Sequence, residues 1–193
     1  MPLTTYTAGE VLTAASLNAN LSFASSNGGL VCVQAETAFT TASSVSKDNV
    51  FTSDYTNYRL MIRTQAGGNI NNILQLRVGG VTATAGNYNS QTFLASGTVL
   101  AGARNSSVTS FSLAGVNGAF FTVYIVDIFA PALASPTSFI MQSANADGAY
   151  TTPYLYHYGG NHSLSTAYDG FVFTPSSSTL TGTYTVYGYS KAV

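Results

Sequence analysis

The sequence predicts an all-β protein, an antiparallel β-sandwich or jelly-roll-like domain of about eight strands preceded by a short N-terminal helix. Three observations predict it. Apolar residues recur with period two in several stretches, clusters of Gly, Pro, Asn and Ser separate those stretches at short intervals, and only one segment has helical spacing.

That segment is Thr13–Ala24. Thr13 stands where a capping hydroxyl is wanted, and Ala14, Leu17, Leu21 and Ala24 follow at 3-4-3 spacing. A stripe of two Leu and two Ala is too narrow to hold a helix of about 12 residues together in water, so the helix needs a partner. It either docks on its own β domain, or bundles with copies of itself or plugs into another protein. Leu12, Ala14, Leu17, Leu21 and Phe23 are the candidate attachment and oligomerisation residues. Ser25-Ser-Asn-Gly-Gly29 is small and polar and reads as a linker, which divides the chain into an attachment arm over 1–29 and a sandwich over 30–193.

Leu30-Val-Cys-Val-Gln34 opens the β region, and its apolar neighbours place the Cys32 thiol in a buried strand. Over 58–64, Tyr58, Leu60 and Ile62 alternate with Arg59, Met61 and Arg63. Over 72–78, Leu74, Leu76 and Val78 alternate with Gln75 and Arg77. One face of each strand is core and the other is wet. The intervening Gly67-Gly68 and the following Gly79-Gly80 are turn chemistry. Further strands are expected near 91–94, 107–113, 120–129, 138–143, 170–173 and 182–190.

Only 7% of the 193 residues are Asp, Glu, Lys or Arg, against about a quarter in ordinary soluble domains. Ser, Thr, Asn and 13 Tyr take their place, and the formal net charge is -1. Such a surface is polar without being repulsive and tolerates close neighbours. Membrane insertion does not explain it: the most apolar run, Ala119–Ala130, contains Asp127, stops at Pro131 and falls short of the roughly 20 residues of a spanning helix. Disorder does not either, because 46% hydrophobic and 12% aromatic residues supply ample surface to bury. The six cations are scattered at Lys47, Arg59, Arg63, Arg77, Arg104 and Lys191, which argues against nucleic acid as a partner. No basic and apolar leader opens the chain, so it is expected to begin its life in a cytoplasm.

Catalysis is not expected. The only imidazole bases are His157 and His162, no Gly-x-Ser-x-Gly elbow is present, and no two of the seven carboxylates form an evident acid–base couple. With one cysteine there is no internal disulfide and no thiolate cluster. The densest group of site-like residues is Tyr154, Tyr156, His157, Tyr158 and His162, with Tyr168 shortly after. The two His with Asp169 have metal-ligand chemistry but no metal-site spacing. A row of Tyr and His lining an edge, a subunit interface or a sugar is the better account, because Tyr joins an apolar ring to a hydrogen-bonding tip. No cofactor is expected.

Four stretches carry a resemblance. Tyr6-Thr-Ala-Gly-Glu-Val-Leu-Thr-Ala-Ala-Ser-Leu-Asn-Ala-Asn20 resembles the segment Thr-x-Gly-x-x-Leu-Thr-Ala-x-x-Leu-Asn near the N-terminus of tail-fibre and other structural proteins of tailed bacteriophages. Phe51-Thr-Ser-Asp-Tyr-Thr-Asn-Tyr-Arg-Leu60, Leu74-Gln-Leu-Arg77 and Gly182-Thr-Tyr-Thr-Val-Tyr-Gly-Tyr189 are similar to the β domain that often follows it. The resemblance implies a virion protein made in the bacterial cytoplasm, a homotrimeric jelly-roll-like domain, an arm that attaches to other virion structural proteins, and no chemistry. The chain lacks the long shaft of such fibres, which points to a compact knob, a short fibre or tip on the tail. A capsid decoration or cement subunit and a lectin-like module contacting a host surface glycan are the two alternatives.

Overall fold

The computed structural model describes residues 7–11, 13–26, 29–66, 70–116, 120–146 and 153–191, with the backbone alone for 21–26, 116 and 146. One helix, α1 (Ala14–Ser26), precedes thirteen strands among these residues. They are β1 (Leu30–Ala42), β2 (Val45–Lys47), β3 (Asn57–Ala66), β4 (Ile70–Val78), β5 (Val81–Thr82), β6 (Tyr88–Ser96) and β7 (Val99–Val108), then β8 (Phe111–Val116), β9 (Thr122–Phe129), β10 (Thr137–Ala146), β11 (Pro153–His162), β12 (Gly170–Pro175) and β13 (Leu180–Tyr189).

All strand pairs are antiparallel. Eight strands form one sheet in the order β1-β13-β3-β9-β10-β11-β6-β7. The second sheet runs β2-β12-β4-β5, with β8 also paired to β4. The all-β sandwich with its leading helix is therefore as the period-two pattern predicts, built from more strands than the pattern marks.

The two sheets bury one aromatic-rich core. Tyr58, Leu60 and Ile62 of β3, Tyr124, Val126 and Ile128 of β9, and Phe171 and Phe173 of β12 are all at most 1% exposed. Tyr124 meets Phe173 edge-on at 5.9 Å and Phe111 stacks on Phe139 at 4.8 Å, so rings from both sheets interlock. Buried tyrosines must find partners for their hydroxyls, and here those partners fasten loops and strands. Tyr58 donates to Thr52 O at 2.7 Å and accepts from Thr52 N–H. Tyr88 accepts from Leu76 N–H at 2.9 Å and donates to Ala83 O. Tyr124 accepts from Asn72 Nδ2 and donates to Ala114 O.

Several local expectations are corrected. Cys32 is exposed, not buried: β1 is an edge strand, and its pairing with β13 puts Val31 and Val33 on the half-buried side and the thiol outside. The stretch 107–113 is not one strand. Ser107 takes a positive φ of 55°, residues 109 and 110 bend, and β7 ends where β8 begins. Val78 is 40% exposed because the turn at Gly79-Gly80 lies beyond the edge of the core.

Candidate functional site

The strand β11 sorts the Tyr- and His-rich stretch by parity. Residues at even positions face inward and those at odd positions face outward, the two sides of one pleated strand. Tyr154, Tyr156 and Tyr158 therefore form a ladder of rings on the inner side, with centroids 6.4 and 6.0 Å apart. Leu155 and His157 stand outside, exposed. His162 is fully buried at the far end of β11, edge-on to Tyr88 at 4.5 Å and within 3.2 Å, through Nδ1, of the Tyr168 hydroxyl. Burial pushes the His162 pKa down, so its ring is neutral at pH 7. His162 and Tyr168 thus belong to the core and hold the 163–169 segment against the sandwich. His157, His162 and Asp169 do not converge. Asp169 instead accepts the Gly79 N–H at 2.8 Å, and among the described residues no three His, Cys, Asp or Glu side chains are grouped to hold a metal.

Tyr156 and Tyr158 line a cleft of about 320 Å³ where the larger sheet, at β6 and β7, overhangs β8. Its other polar walls are Asn71, Thr92, Asn105 and Ser112, and no charged residue lines it. Burial raises the pKa of both phenols, that of Tyr158 to about 12 against the opposing effect of a hydrogen bond with Thr92, so both remain protonated donors at neutral pH. The cleft combines aromatic carbon with amides and hydroxyls, and its chemistry suits an uncharged, hydroxyl-rich ligand. The Tyr wall was legible as alternation in the sequence. The facing wall comes from strands far away in the chain and carried no local signal.

The outer face of the eight-stranded sheet is the second feature. Met61, Val123, Ile140, Leu155, Phe93 and Leu100 project from neighbouring strands and are 38–67% exposed. Registers align Met61 with Ile125, Gln142, His157 and Phe93, and Val123 with Ala144, Leu155, Ala95 and Leu100. The patch is contiguous and its interior holds only Gln142 and His157 as polar groups. A groove of about 290 Å³ between Glu36, Met61, Arg63, Val123, Thr185 and Tyr187 marks its β1 side. Beside it, Arg63 stacks on the Phe121 ring at 3.5 Å, and Arg59 is neutralised by Asp127 at 2.7 Å.

The arm is the third. Thr13 caps α1 as its sequence predicts, accepting the Ser16 N–H at 3.2 Å through its hydroxyl. Upstream, Glu10 Oε2 accepts from Thr7 N–H and Thr7 Oγ1, closing a turn through Gly9 at φ 91°. Every side chain described along α1 is exposed or half-exposed; Ala14 is exposed and Leu17 is 41% exposed. Neither Ala14 nor Leu17 is buried against the sandwich. Leu12 and the side chains of Leu21 and Phe23 lie outside the described residues.

Comparison of the chain with protein-family models, with curated proteins and with solved structures yields no match.

Proposed function

We propose that this chain is a non-enzymatic structural component of a tailed-phage virion, a short fibre or tip projection on the tail, attached by its N-terminal arm to other virion structural proteins. The observation that carries this reading is α1: a capped helix that presents Leu17 to solvent instead of to its own sandwich. A helix of 13 residues is marginal in water without tertiary packing, so its stability calls for a partner surface. The nearly neutral, apolar outer face of the larger sheet supports the same reading, because contiguous exposed apolar patches mark interaction sites.

The expected outcome for Leu17→Asp is a protein that keeps its sandwich, by circular dichroism and thermal unfolding, and is missing from assembled particles. Normal incorporation would overturn the attachment role. Reconstruction of the wild-type particle is expected to place the chain on the tail; density over the head lattice would select a decoration subunit instead.

The cleft favours a second reading, a lectin-like contact with host surface glycan. Tyr156→Ala is then expected to abolish retention on a printed array of neutral oligosaccharides while leaving particle incorporation intact. Equal array signals from the variant and the parent would remove this reading without touching the first.

A further inference from the structure

The two ends of the eight-stranded sheet are not alike. At one end β1 pairs with β13 through three register shifts, between Cys32 and Gln34, Gln34 and Thr37, and Phe39 and Ala42. Irregularity of this kind bends a strand and spoils it as a template for pairing. At the other end β7 is exposed along nearly its whole length, and its pairing with β6 is regular from Val99 to Asn105. The smaller sheet is edged by strands of two, three and six residues, short enough to be poor templates. The edge β7 has one register shift, beyond Asn105 at its C-terminal end, and over Val99–Asn105 it has none of these protections. It contains no Pro, and its only charged residue is Arg104. Every second residue along it turns its N–H and C=O away from β6, toward solvent.

From this asymmetry we infer that β7 is a self-pairing edge: two copies of the chain join β7 to β7 about a two-fold axis, continuing the large sheet from one copy into the other. The inference does not rest on the virion reading, and it departs from the homotrimer that the resemblance implies. Antiparallel pairing centred on Gly102 sets Gly102 against Gly102 of the second copy, Ala101 against its Ala103, and Leu100 against its Arg104. The centre is then made of small residues and no like charges face each other. Centring on Arg104 would oppose two guanidinium groups across the shortest cross-strand distance, which is unfavourable.

The outer face adds a reason for that register. Phe93 lies opposite Gly102 in the β6–β7 ladder and is 46% exposed. Strand spacing places the two Phe93 Cα atoms of such a pair about 14–15 Å apart, so both rings can lean across the paired glycines toward each other. The disrupted β1 edge of each copy cannot accept a further β7, so the association closes at two copies and does not propagate as a filament. The seam spans about 24 Å of strand, smaller than a standard interface, and dimerisation is accordingly expected in the micromolar range.

Sedimentation velocity between about 1 and 300 µM tests the inference on the full chain, over the range where small interfaces associate. Wild type is expected to pass from monomer to twice its 20.1 kDa mass. Leu100→Lys puts a cation opposite Arg104 of the second copy. It is expected to weaken association by about tenfold or more without lowering the melting temperature, since Leu100 is 67% exposed. In a Cys32→Ser background, Gly102→Cys is expected to cross-link on oxidation, because two such residues meet at the axis and the added Cβ makes only ordinary contacts, at 3.6 Å or more. Val99→Cys, which faces Asn105 of the second copy, is expected not to cross-link. A wild type that stays monomeric, a trimeric mass, an undiminished assembly in Leu100→Lys, or equal cross-linking at 99 and 102 would each overturn it.

Discussion

Asp127 shows how a chain with few charges uses one. It accepts from Arg59 Nε at 2.7 Å and Nη2 at 2.8 Å, and from the Tyr189 hydroxyl at 2.6 Å, drawing β3, β9 and β13 together on the outer face. Burial works to raise its pKa, but the hydrogen bonds from Arg59 and Tyr189 prevail and hold the carboxyl below its ordinary value. A depressed carboxylate pKa stabilises the fold above the unfolded-state pKa, and that contribution disappears as pH falls through the folded-state value. Asp127→Asn is therefore expected to cost about 1–2 kcal/mol at pH 7, with the gap to wild type closing toward pH 3, as read by urea unfolding at both pH values. A pH-independent gap would mean the carboxylate's charge is not what matters. The pairing was not legible in the sequence: Arg59 and Asp127 are 68 positions apart and alternation says only that Arg59 faces outward.

At the scale of elements, what was legible depended on how many faces a strand buries. The strands β3, β9 and β13 have one core face and one outer face, so Tyr58, Leu60 and Ile62, or Tyr184 and Val186, stand out by period two. The strand β7 buries neither face fully, and its Val-Leu-Ala-Gly-Ala-Arg run carries no alternation to detect. Only its neighbour β6 reveals it. The same pattern is present in β11: Tyr-Leu-Tyr-His-Tyr is an inward and outward alternation, so a single contact row of Tyr and His merges two sides of a strand. Cys32 misled for a related reason. Flanking Val residues signal a strand, yet whether the thiol points in or out depends on registration with β13, which lies at the other end of the chain.

At the scale of the whole molecule, the scarcity of charge fixes how the surfaces respond to solvent. Among the described residues the ion pairs are Arg59–Asp127 and Arg77–Asp48, both within one chain, and the β7 seam contains no cation facing a carboxylate. Raising salt from about 0.1 to 1 M shortens the screening length from about 10 to 3 Å and weakens associations that rest on opposite charges. Here the dimer is expected to persist or tighten over that range by sedimentation, and a tenfold loss would place ionic contacts at its heart. The same neutrality explains why the two features best suited to binding, the cleft and the outer face, carry no electrostatic signature in the sequence.

The position of β13 has a consequence in time. It lies between β1 and β3, hydrogen-bonded to both, yet among the described residues it is the last strand in chain order. A chain synthesised from its N-terminus therefore holds its first and third strands apart, with no ladder between them, until residues 180–189 arrive. The slowest class of contact, a pairing distant in sequence, becomes the step that completes the larger sheet. Until then β3 has only β9 beside it, and its other edge stays open to pairing with other chains.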